Sequence, residues 1–198
     1  MKIRTLASRR APGKPPHAAP TLTVTDTARM ADPAAVAARL PRGAALVFRH
    51  YEHPDRPALG HRLAAVCRRR GVTLLVAGDW RLAARLKADG LHLPEGMARH
   101  DVLSPALLWR RRTGGLLTMA THGPQALTIA RRLQVDAALL SPVFPTASHP
   151  GAPTLGPWRT SLWARAAQVP VLALGGMTQH RLKRLRFIAG WAGTGLAG

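Results

Sequence analysis

Apolar runs of four to seven residues recur along the chain, and between most of them lie stretches whose apolar positions repeat at helical spacing. Residues 137–140 (A-A-L-L) are apolar throughout and too few for a helix, the pattern of a strand buried on both faces. Comparable runs at 21–25 (T-L-T-V-T), 44–48, 73–76, 90–93, 116–120, 171–174 and 190–196 predict seven further strands. Helices are expected between them. Leu59, Leu63, Val66 and Cys67 fall on one face after Asp55-Arg56-Pro57, with Gly71 closing the segment, and Ala126, Ile129, Ala130 and Leu133 repeat the pattern in 123–133. Shorter helices are predicted at 33–40, 80–87, 160–167 and 179–187, and one opens at the N-cap and N1 pair Ser104-Pro105. Residues 94–101 read as a loop.

Strands alternating with helices at this rhythm mean βαβ units and a parallel sheet, and eight of them predict a closed (β/α)8 barrel of the TIM type. The barrel is expected to be one domain over residues 21–198, preceded by a disordered, basic and proline-rich tail at 1–20. The sequence ends after the eighth strand, so the barrel is expected to lack its final helix, and a homodimer is one way to cover the apolar flanks left open.

Charge narrows the partners. Lysine and arginine number 29 against 9 acidic residues, a formal net charge of +20, which favours anionic ligands. The triplets Arg68-Arg69-Arg70 and Arg110-Arg111-Arg112 fall at helix C-termini, where cations offset the helix dipole. They are not interleaved with aromatics, so a nucleic-acid partner has no support beyond charge. The single cysteine, Cys67, excludes an internal disulfide and a multi-cysteine metal site. No apolar run reaches the ~18 residues of a membrane span, and the first twenty residues lack the apolar core of a secretory signal, so a cytoplasmic protein is expected.

In a parallel barrel the active site forms where the strands end. Following the predicted strands are Arg49-His50-Tyr51, Gly78-Asp79, His92-Leu93-Pro94-Glu95, Thr121-His122, Thr146-Ala147-Ser148-His149, Gly175-Gly176 and Gly193-Thr194. Basic, hydroxyl and glycine residues dominate, which suits a phosphorylated ligand. Arg49 directly follows a buried strand, where a charge needs an anion to meet. His122 has the chemistry of a general acid/base, with an ordinary pKa of about 6.5. Asp79 is equally well explained as a helix cap. Gly175-Gly176 lets backbone N–H groups approach a phosphate.

The sequences P-V-F-P-T-A-S-H-P-G and V-P-V-L-A-L-G-G-M, in this order, resemble the thiamine phosphate synthase/TenI family of phosphate-binding barrels. The resemblance implies a thiamine-biosynthesis enzyme that couples a thiazole phosphate to hydroxymethylpyrimidine diphosphate. It makes Thr146, Ser148, His149, Gly175, Gly176 and Gly193 the phosphate-binding residues, and Arg49 and His122 the catalytic ones. It also implies Mg2+, with Asp79 as a ligand. The family's second carboxylate position is occupied by Met97, and its two lysine positions by Tyr51 and His149. Two alternatives stand beside coupling: a TenI-like thiazole tautomerase moving protons through His122 without metal, and a non-catalytic barrel that binds a thiamine precursor.

Overall fold

The computed structural model describes residues 22–99, 103–146 and 151–194. Its strand order is β1 to β8 in sequence, in a closed parallel barrel. The chain divides into two compact units, Leu22–Leu117 and Thr118–Gly193.

The first unit holds β1 (Leu22–Val24), α1 (Pro33–Arg39), β2 (Ala45–Phe48), α2 (Arg56–Arg70), β3 (Thr73–Ala77), α3 (Trp80–Leu86), β4 (Gly90–Leu93) and α4 (Leu103–Thr113). Strands β1 to β4 pair in order and in parallel, with Val24 beside Val47, Val47 beside Leu75, and Leu75 beside Gly90. All four residues of β2 are buried, as its unbroken apolar run requires, and so are all four of β4, His92 included. Three of the helices open on an aspartate. Asp32, Asp55 and Asp79 accept hydrogen bonds from the N–H groups of Ala34, Ala58 and Leu82, which a helix leaves unpaired in its first turn. Gly71 ends α2 at φ +65°, a left-handed position that glycine takes without strain.

The second unit holds β5 (Leu116–Thr121, from Thr118 onward), α5 (Pro124–Arg132), β6 (Ala137–Leu140), α6 (Gly156–Ala166), β7 (Val171–Ala173), α7 (Gln179–Leu182) and β8 (Gly190–Gly193). These strands also pair in order and in parallel. Ala173 of β7 and Trp191 of β8 pack with Val143, Phe144, Leu182 and Leu185 into one apolar cluster.

Several element bounds differ from the sequence expectations. Helix α4 begins at Leu103, so Ser104-Pro105 lies inside its first turn rather than capping it; a proline there removes only an N–H that had no partner. Helix α6 begins at Gly156, four residues before Thr160, because Pro157 starts the helix instead of prolonging the loop. Helix α7 stops at Leu182, and the chain to Phe187 (φ +59°) is irregular. Residues Glu95–Arg99 form a 3-10 turn within the expected loop. Strand β8 ends at Gly193, and the tail at 1–20 and residues 195–198 lie outside the described residues.

Candidate functional site

In the first unit the candidate residues gather where β2, β3 and β4 end. The Arg49 N–H donates to the Thr25 hydroxyl oxygen at 2.8 Å. The same oxygen is 2.8 Å from Nδ1 of buried His50, whose Nε2 is 2.8 Å from the Met30 carbonyl. A carbonyl only accepts, so Nε2 carries the proton, and Nδ1 accepts from the Thr25 hydroxyl. His50 is thereby a structural tie that fixes the backbone of Arg49. His92, at the third position of β4, is fully enclosed. Burial, reinforced by the positive charge of Arg49, pushes its pKa down to about 3, so it is neutral.

The most heavily constrained side chain at this corner is Arg56, the first residue of α2. Its Nη2 donates to the Ala77 carbonyl at 2.7 Å, and its guanidinium lies 5.3 Å from the Phe48 ring centre and 5.1 Å from that of Tyr51. Its Nη1 faces Oδ2 of Asp79 at 3.8 Å, while Asp79 Oδ1 caps α3 through the Leu82 N–H. Burial lowers the Arg56 pKa against the pull of Asp79, yet a guanidinium stays charged at neutral pH. Partial burial raises the Tyr51 hydroxyl above its ordinary range, opposed by Arg49 and then Arg56. Sequence reading passed over Arg56 because, between the cap Asp55 and Pro57, it looks like an ordinary first-turn residue. The signal lay in the aromatic residues that end β2 and follow it, Phe48 and Tyr51, a platform for a cation.

The donor set does not fit a resident Mg2+. A hard divalent cation is held by carboxylate and carbonyl oxygens and by water. Here Asp79 offers one carboxylate, with one oxygen on a backbone N–H and the other toward Arg56. At position 97 a thioether lies against Gly78: a Cβ on Gly78 would stand 3.3 Å from the Met97 sulfur and 3.2 Å from the Tyr51 ring. Among the described residues no group of three His, Cys, Asp or Glu side chains is placed to share a metal.

In the second unit the loops after β6 and β7 are laced together by their backbones. Val143 N–H donates to the Leu174 carbonyl at 2.9 Å and Phe144 N–H to the Gly175 carbonyl at 3.1 Å. Gly175 and Gly176 are both left-handed, at φ +94° and +57°. A Cβ on Gly175 would come within 2.9 Å of Pro142, and one on Gly176 would run into the Pro145 carbonyl oxygen. Glycine is needed at both positions for space as well as for torsion. The N–H groups of Gly175 and Gly176 donate to no other described residue. Arg181 donates from Nη1 to the Gly176 carbonyl at 2.6 Å, and its guanidinium and that of Arg184 lie 5.2 and 5.8 Å from the Phe144 ring centre. These two arginines also escaped the sequence reading, hidden in the basic run of 181–186.

Thr146 is half-buried on the loop after β6, whereas Ser148 and His149 lie outside the described residues. His122 is exposed directly after β5, next to Gly123, the N-cap of α5. Gly193 ends β8, and a Cβ there would meet only an ordinary contact with Trp191 at 3.7 Å.

The family model described as thiamine monophosphate synthase matches residues 21–195. A putative thiamine-phosphate synthase 2 of Aquifex aeolicus is 28% identical over 125 residues, which are 63% of this chain and 64% of that protein. The thiamine biosynthesis bifunctional protein ThiED of Geobacter sulfurreducens is 30% identical over 151 residues, 73% of this chain and 29% of its own length. The matches thus span less than two thirds of either relative. A thiamine-phosphate synthase of Rhizobium etli is 30% identical over 72% of this chain and 70% of its own. Among solved structures, the thiamine phosphate pyrophosphorylase of Pyrococcus furiosus superposes with a TM-score of 0.67 at 20% identity, covering 86% of this chain and 83% of that one. A likeness at that identity shows the fold.

Proposed function

Because the chain belongs to the thiamine monophosphate synthase family, we propose that it is a thiamine-biosynthesis enzyme that binds a phosphorylated thiazole through the loops after β6 and β7. The observation that carries this reading is the pair of left-handed glycines, Gly175 and Gly176, under the Pro142–Pro145 segment. Their N–H groups, with Thr146, Ser148 and His149 from the neighbouring loop and the Gly193 end of β8, are the donors for the phosphate oxygens. Arg181 and Arg184 supply positive charge beside them.

The reaction we assign is coupling to hydroxymethylpyrimidine diphosphate. The bond from the pyrimidine's methylene carbon to the diphosphate oxygen breaks, pyrophosphate leaves with the electron pair, and the thiazole takes up the carbon. Arg49 opposes the negative charge that grows on the leaving group. A second reading is favoured by the lone carboxylate at Asp79: a metal-free thiazole isomerisation in which exposed His122 moves the proton.

Purified chain given both phosphorylated substrates decides between them. Thiamine phosphate formed from the pair, and lost with Gly176→Ala, supports coupling. Isomerisation of a thiazole carboxylate phosphate that disappears with His122→Ala supports the second reading. Binding of thiazole phosphate with neither turnover would leave a precursor-binding barrel.

A further inference from the structure

We propose that Arg56 is a built-in cation standing where a divalent metal would stand beside Asp79, so that a diphosphate binds at the ends of β2 and β3 without metal. The inference rests on the reading that a diphosphate is one of the ligands. Three features of the corner carry it.

The guanidinium is held from three sides. The Ala77 carbonyl fixes one nitrogen, two aromatic rings flank the group, and the side chain is only 14% exposed. Little side-chain entropy remains to be lost when an anion arrives.

The approach to Asp79 is open rather than closed. A charge-assisted N–H···O bond is about 2.7–2.9 Å long, whereas Nη1 and Oδ2 are 3.8 Å apart. Nη1 therefore keeps a proton to give, and Asp79 steadies the guanidinium without consuming it. Of the charged groups that act on one another here, Arg49 and Arg56 are cations and Asp79 is the carboxylate. An incoming diphosphate finds positive charge already assembled.

The surroundings suit a guanidinium better than a metal. Met97 and the Tyr51 ring crowd Gly78, whose φ of +69° turns the chain toward Asp79. A thioether and the face of the Tyr51 ring present no hard oxygen toward Gly78, but an aromatic face stabilises a guanidinium.

The test uses inorganic pyrophosphate as the probe, titrated calorimetrically into the full chain in EDTA, and Mn2+ binding to the ligand-free chain followed by its EPR signal. Pyrophosphate is expected to bind in EDTA, Arg56→Gln to weaken it by about tenfold or more, and Arg56→Lys to fall between. Asp79→Asn keeps the cap of α3 and is expected to bind pyrophosphate at least as tightly as the parent chain. Mn2+ bound by the parent chain and lost with Asp79→Asn would overturn the proposal, as would pyrophosphate affinity in EDTA that Arg56→Gln leaves unchanged. The Mn2+ measurement on the parent chain needs no Arg56 variant to fold. Turnover enters neither arm, so a chain that holds pyrophosphate through Arg56 yet joins no substrates would sink the coupling reading alone.

Discussion

His92 is enclosed beside the Arg49 charge and stays neutral down to about pH 3 in the folded chain. Unfolded, it takes up a proton near its ordinary value of about 6.5. The unfolded state thus binds more protons between these limits, and its share of stability, whole above pH 6.5, drains away as pH falls toward 3. Urea midpoints measured at several pH values should drop across that window, with a shallower slope in His92→Gln. At Gly176 the expected effect is steric. Alanine there would combine a left-handed backbone with a collision at the Pro145 carbonyl, for a loss of about 1–3 kcal/mol. Weaker binding of thiazole phosphate should accompany it, measured by calorimetry beside a denaturation curve. Gly193→Ala, with only the Trp191 contact at 3.7 Å to accommodate, should be far milder in both.

At the scale of elements, capping aspartates set where helices start, and they are legible because the cap chemistry is local. Asp32, Asp55 and Asp79 all cap as their positions before a helical pattern imply. Asp79→Ala is expected to lower stability by about 0.5–2 kcal/mol, and Asp79→Asn to melt near the parent chain, because the amide oxygen still accepts from the Leu82 N–H. Differential scanning calorimetry of the two variants checks the pair. Elements whose limits depend on longer-range contacts were not legible. The end of α7 is one example: the run 181–186 sustains a helical pattern, yet the helix stops at Leu182 while Leu182 and Leu185 both pack into the cluster with Phe144 and Trp191. The start of α6 is another, since Gly156-Pro157 has loop composition, and the segment is anchored by the Leu155 and Gly156 N–H groups, which donate to the Pro142 and Val143 carbonyls. The same division holds at the candidate site. The paired loops after β6 and β7 announce themselves by glycine and proline, whereas Arg56, Arg181 and Arg184 are one basic residue among 29 until their aromatic partners are seen.

For the whole molecule, the repeat of buried strand and amphipathic helix carries the barrel topology, and the strands are mostly apolar because both their faces are covered. Cys67 reports on that burial. Its thiol is pushed up to about 12 by desolvation and by Asp89, so almost none is thiolate at pH 8. A disulfide reagent should leave it untouched in the native chain and react in proportion to unfolding through a urea titration.

The arginine runs lead to a different consequence. Arg68, Arg69 and Arg70 close α2 immediately before β3 begins, while Arg56 and Asp79 stand where that strand has finished. A long polyanion such as heparin, drawn to the triplet, would meet the strand's entry end while the diphosphate sits at its exit. The two ligands would be carried together, neither evicting the other.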